Sequence, residues 1–133
     1  MANEWTLVDR TEDPLDYTVA DGTGIEKGTL MELTDNAIAI ASTDSGQACA
    51  GVLAREKLAS DGRTQVAVFK KGRFLATASG SITIGQQVAN ASDTTYPNMV
   101  SAVNTAIDSG SAILGYAEEV ASDGEVIQVR LDL

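Results

Sequence analysis

The chain has 133 residues and a formal net charge of −10, and it contains no histidine and one cysteine. That composition removes the Ser-His-Asp and Cys-His arrangements of nucleophilic catalysis, the commonest metal ligand and an ordinary zinc site. Such acidity also opposes nucleic-acid binding, which rests on neutralising phosphates, and no apolar run approaches the roughly 20 residues of a membrane span.

Residues 1–24 are polar and acidic and end in the turn-forming Ala20-Asp21-Gly22-Thr23-Gly24. Trp5, Leu7, Val8 and Leu15 stand among charges with no sustained period. This stretch reads as an extended N-terminal arm with short strands at Trp5–Val8 and Asp16–Val19. An apolar Trp among acids suits an anchor buried against a partner; the alternative is that Trp5–Val8 adds an edge strand to its own barrel. Met1-Ala2-Asn3-Glu4 has neither the basic start nor the apolar stretch of a signal peptide.

From Ile25 onward short strands alternate with turns. Met31 and Leu33 share a face, as do Ile38 and Ile40, Val66 and Val68, and Ile127, Val129 and Leu131. Ala48–Ala54 is an apolar run interrupted by Gly51, a residue that inside a strand marks a bulge or a close backbone approach. Cys49 has apolar neighbours, cannot pair within the chain and reads as a small buried residue of a protein made in a reducing compartment. Arg73–Ala78, Gln86–Asn90, Ser111–Glu119 and Glu125–Leu133 supply further strands. Pro97–Ser109 suits a helix, with Val100, Val103 and Ile107 on one stripe, and equally a strand around Met99–Val103. Turn signals every eight to twelve residues make the chain an all-β barrel or sandwich.

The second half rewrites the first. Ile25-Glu26-Lys27-Gly28 is echoed by Ile82-Thr83-Ile84-Gly85, Gly51-Val52 by Gly115-Tyr116, and Ala59-Ser60-Asp61-Gly62 letter for letter by Ala121-Ser122-Asp123-Gly124. Two β-units of about sixty residues, each too small to bury its own apolar face, are expected to close together into one barrel-like domain over residues 25–133.

Charge is laid out in blocks. Residues 1–49 hold ten acids against Arg10 and Lys27, and residues 91–133 carry a net −6. Between them Arg55, Lys57, Arg63, Lys70, Lys71 and Arg73 oppose only Glu56 and Asp61. This basic stretch reads as a solvated strand face that attracts acidic regions of a neighbouring subunit. Candidate partner-binding residues are therefore Trp5, Leu7, Val8 and Leu15 of the arm, with Arg55, Lys57, Lys70, Lys71 and Arg73. Neither Lys70-Lys71-Gly72 nor the two Asp-Gly turns has the pattern of a phosphate or calcium loop. No catalytic residue, cofactor or metal is expected.

The order of Asp16-Tyr17-Thr18-Val19, Ile25-Glu26-Lys27-Gly28, Ala50-Gly51-Val52-Leu53, Asp61-Gly62, Val66-Ala67-Val68 and Lys71-Gly72-Arg73-Phe74 resembles the small capsid decoration, or cement, proteins of tailed bacteriophages. The second round, Ile84-Gly85-Gln86-Gln87-Val88, Ile113-Leu114-Gly115-Tyr116-Ala117 and Val126–Leu133, continues it over residues 16–133. The Thr94–Ser109 segment departs from that pattern in being longer and rich in Asn, Ser and Thr. The resemblance implies a non-enzymatic β domain, made in the host cytoplasm and carried on the virion. It would bind the outside of an icosahedral head as a homotrimer and clamp neighbouring major capsid proteins, with no nucleic acid or membrane as partner. The alternatives are another virion β-module, such as a head-tail or tail-tube component, and a small trimeric enzyme acting on a nucleotide, for which no substrate motif is found.

Overall fold

Alternating burial along short segments yields eleven strands and one 3-10 turn in the computed structural model, which describes residues 2–42, 44–104 and 110–133. The first barrel comprises β2 (Leu15–Thr18), β3 (Leu30–Asp35), β4 (Ile38–Ala41), β5 (Cys49–Leu53) and β6 (Gln65–Phe69), and these close in the order β2-β4-β3-β5-β6. The second comprises β7 (Lys71–Ala78), β8 (Gln87–Asn90), β9 (Met99–Ala102), β10 (Ile113–Ala117) and β11 (Val126–Asp132). Its order is β7-β11-β10-β8-β9, and a parallel β7–β9 pairing closes it, as a parallel β2–β4 pairing does in the first. The all-β class and the pseudo-repeat read from the sequence are both present. However, the halves do not close together into one barrel: each closes separately, because five strands already satisfy every edge when the first and third are paired in parallel.

The two barrels share their hydrogen bonds pair for pair. Ile25 bridges Lys57 and Ile82 bridges Ala121. Gly28 donates to the Leu53 carbonyl at 2.9 Å and Gly85 to the Ala117 carbonyl at 2.8 Å, and Ser42 to Leu30 is matched by Val103 to Gln87. Gly51 and Gly115 sit at the same place in β5 and β10, each beside a shift in register. A Cβ on Gly51 would run into the Phe69 carbonyl oxygen, and one on Gly115 into that of Arg130. The repeated Ala-Ser-Asp-Gly is, by contrast, out of register. The bridges align Lys57 with Ala121, so Ala59-Ser60 occupies the turn that Asp123-Gly124 occupies in the second barrel. Ser60 and Gly124 take the positive-φ position in these turns. Between the bridge and the next strand the first loop spans eight positions, Lys57 to Gln65, and the second five, Ala121 to Val126. The extra residues are Asp61-Gly62-Arg63.

The arm expected over residues 1–24 divides. β1 (Thr6–Arg10) pairs antiparallel with the start of β7, along the edge that β9 does not reach, whereas Leu15–Thr18 belongs to the first barrel. The boundary at residue 24 thus falls within a barrel. The ambiguous stretch is a strand at Met99–Ala102, with Val100 wholly buried, and residues 105–109 lie outside the described ones.

Two apolar clusters hold the molecule. A small one inside the first barrel joins Val19, Ile25, Met31, Ala39, Ala50, Leu53, Val66 and Val68. A larger one fills the second barrel with Phe74, Leu114, Ile127, Val129 and Leu131, and extends across the junction to Leu30, Val52 and Phe69 of the first and to Trp5. The packing against the two glycines gives a direct test. Replacing Gly51 or Gly115 with Val should each lower stability in urea by about 1–3 kcal/mol or more through overpacking against a neighbouring strand. Two variants that unfold at the parent's midpoint would show that the strands do not approach as described.

Candidate functional site

Trp5 does not face solvent. It is 4% exposed, its ring lies 5.7 Å from that of Phe74, and its Nε1–H donates to the Asn98 carbonyl at 3.0 Å. The expectation of a free anchor is corrected: the arm's first strand alternates, putting Trp5 and the half-buried Leu7 against the junction of the barrels. A bulge between Leu7 and Asp9 then turns Val8 out, at 48% exposure. Leu15, at 53%, lies exposed at the start of β2.

Lys57 is also withdrawn from solvent. Its side chain has no exposed surface, and Nζ donates to the Asp21 carbonyl (2.9 Å), Asp21 Oδ1 (3.0 Å), the Leu58 carbonyl (2.7 Å) and Asp61 Oδ1 (2.7 Å). A buried ammonium is costly unless paired and fully hydrogen-bonded, and this one is both. Burial alone would push its pKa down, but hydrogen bonds and charge from Asp61 and Asp21 outweigh that and raise it. Asp61 is held well below the ordinary carboxylate range, first by the Lys57 hydrogen bond and then by the Arg63 backbone N–H. Lys57 therefore staples the end of the first barrel and has no donor to offer a partner.

The other predicted cations separate. Lys70 reaches Tyr17 Oη at 2.7 Å, Lys71 pairs with Asp132 at 3.0 Å, and Arg73 with Asp9 at 3.3 Å and Glu118 at 3.9 Å. Lys71–Asp132 and Arg73–Asp9 are cross-strand pairs between β7 and its neighbours β11 and β1, half-exposed and individually weak. Arg55 is exposed, and no ion pair engages it among the described residues. It lines a cavity of about 310 Å³ with Arg10 and Arg63, over a floor that includes Pro14, Ala54, Val66 and Phe69. The sequence groups Arg55 with Lys70 and Arg73. The fold groups it instead with Arg10, forty-five positions earlier, because β1 and the link to β2 run past the β5–β6 loop.

Cys49 is half-buried beside the larger cluster, and burial pushes its thiol up to about 11. Among the described residues no group of three or more Cys, Asp or Glu is placed to hold a metal ion, and no helix is long and apolar enough to cross a membrane. Among the described residues the surface thus offers a cavity lined by three arginines and a set of exposed aliphatic side chains, of which Ile38 and Ile40 share one face of β4.

No family model matches the chain, and no curated protein matches it in sequence. Among solved structures it is similar in fold to the N-terminal base of the head fibre protein gp8.5 of bacteriophage phi29. The match has a TM-score of 0.55 and 16% identity, over 88% of this chain and 92% of that one.

Two measurements check these placements. The single tryptophan should emit as a buried indole in the free protein, and Trp5→Ala should cost about 3–5 kcal/mol of stability; red-shifted emission from the folded protein would contradict its burial. Because the Asp61 pKa is depressed, its contribution to stability is complete at neutral pH and is lost as pH falls below about 4, the ordinary Asp value. Asp61→Asn should therefore be less stable than the parent at pH 7 and show a flatter decline below pH 4. Parallel stability profiles for the two proteins would place the charge of Asp61 outside the staple.

Proposed function

We propose that this chain is a non-enzymatic structural protein of a tailed-phage virion that binds the outer surface of the head and clamps neighbouring major capsid proteins as a homotrimer. The observation that carries the reading is the fold likeness to the phi29 head fibre base, which extends over nearly the whole of both chains. The motif order over residues 16–133 supports the same reading from the sequence side. So does the character of the surface, where ion pairs on β1, β7 and β11 are solvated and Lys57 is committed to the fold. Buried polar groups here join parts of the structure to one another: Asn98, Asn90, Ser42 and Ser92 all lie at or beside the junction of the barrels.

In this role the double barrel is the scaffold, and binding to the head is left to exposed residues such as Val8 and Leu15. The test is to add purified protein to heads that lack it and image them. Density on the outer surface in threefold clusters, together with heads that survive heating longer, is the expected result. Rings of six at a tail or portal, or protein that stays in the supernatant when heads are sedimented, would overturn the reading.

A further inference from the structure

Corresponding ends of the two barrels differ in charge: residues 55–63 hold Arg55, Lys57 and Arg63 against Glu56 and Asp61, whereas the equivalent end of the second barrel holds acids alone. The bridges that align Lys57 with Ala121 place Arg55 opposite Glu119 and Glu56 opposite Val120 in the repeat. In the first barrel this end opens into the cavity lined by Arg10, Arg55 and Arg63, with an apolar floor and no carboxylate in its lining. In the second barrel residues 118–125 contain Glu118, Glu119, Asp123 and Glu125 and no basic residue. From the middle of these acids Val120 projects with 67% of its surface exposed, and Ile84 on the bridging segment is 69% exposed. One end offers a cavity with apolar residues and arginines in its lining, and the other an exposed apolar side chain in an acidic loop. No residue of 118–125 lines the cavity. Within the chain Arg10 pairs with Asp13 and Arg63 with Asp61 and the Glu56 carbonyl, so Arg55 is the cavity cation that no ion pair engages among the described residues, and Glu119 accepts one backbone hydrogen bond, from Gln128, through Oε1.

We propose that the cavity of one copy receives the 118–125 loop of a second copy, with Val120 on the apolar floor and Glu119 facing Arg55. The occupant is a second copy because the complementary charge and the complementary apolar tip are on this same chain. Guanidinium groups suit this task, since their planar donors meet carboxylates in a fixed geometry and are weakly hydrated. The contact joins two different surfaces, so each copy keeps one of each free for the next. Such a heterologous contact continues round a ring if its rotation closes, and along a filament if it does not. The proposal rests only on the part of the functional reading in which copies meet one another; a failure to bind heads would leave it standing.

Sedimentation of the free protein over a range of concentrations tests it, at about 50 mM and about 500 mM salt, since screening weakens exposed charge pairs. The expected result is concentration-dependent association at the lower salt that weakens at the higher. Arg55→Glu and Glu119→Lys are each expected to lower that association about tenfold or more, while their equimolar mixture recovers it, because charge reversal on both sides restores the attraction across the contact. Val120→Ala should weaken association and leave its salt dependence unchanged. Circular dichroism and urea midpoints confirm that each variant is folded. A parent protein that remains monomeric at every concentration would overturn the proposal. So would reversed variants that associate like the parent, or a mixture of folded variants that fails to recover association.

Discussion

Asn98 is the residue on which the arrangement of the two barrels depends. Its Oδ1 accepts the Leu30 N–H at 2.9 Å, its Nδ2 donates to the Ala2 carbonyl at 2.9 Å, its own carbonyl accepts the Trp5 indole, and its N–H donates to Ser92 Oγ at 3.0 Å. The first barrel, the N-terminal segment and the second barrel thus meet on one wholly buried amide. Its φ of +63° lies in the left-handed region, which asparagine tolerates better than most residues. Glycine would take that conformation as easily but would leave the Leu30 N–H without its acceptor, at a cost of about 1–3 kcal/mol. Aspartate would keep the acceptor and lose the donor to Ala2. Both the backbone geometry and the two ends of the amide select Asn.

With that junction fixed, the differences between the halves become interpretable. Leu30, Val52 and Phe69 form the outer face through which the first barrel packs on the second. The register places Gln87, Tyr116 and Arg130 at the corresponding positions of the second barrel. A unit docking on that face as the second barrel docks on the first would have to bury these polar groups. The same logic explains the loop that is longer in the first half. Where the second barrel has the small Ala121, the first has Lys57, and the inserted Asp61-Gly62-Arg63 brings the carboxylate that Lys57 requires. The insertion also brings Arg63 to the cavity. Likewise Gly28 lies under Trp5, whose backbone leaves no room for a side chain there, while the corresponding Gly85 is open.

Much of this is legible in the sequence. Strand periodicity locates most strands to within a residue or two, and Gly51 and Gly115 are recognisable because a glycine inside an apolar run marks a bulge or a close backbone approach. Trp5 is not, since only Trp5 and Leu7 alternate before the bulge at Val8 breaks the pattern, and two positions do not make a period. Lys57 is hidden for a different reason. A lysine in a loop between strands is normally solvated, and one of its two carboxylates is thirty-six positions away. The separate closure of the barrels is concealed because it depends on parallel pairing between first and third strands, for which alternation carries no signal. The cavity arginines share this difficulty, since Arg10 and Arg55 become neighbours only through the path of the link between β1 and β2.

What the halves share and what they do not divides the residues by task. The matched positions, Gly51 with Gly115 and Ile25 with Ile82, are places where backbones approach or a barrel end is closed, and they specify the fold. The unmatched positions, Arg55 with Glu119 and Lys27 with Ile84, lie on the surface, where substitution leaves the strand ladders intact. A duplicated fold is free to change such positions independently in its two copies, since neither copy needs them to close. Function on this scaffold is therefore to be sought where the repeat fails, because a fold alone does not determine what its surface binds. The exchange of Arg55 for Glu119 between equivalent barrel ends is a departure of this kind. In a protein with a net charge of −10, it sets a cation that no ion pair engages among the described residues beside a partly apolar cavity.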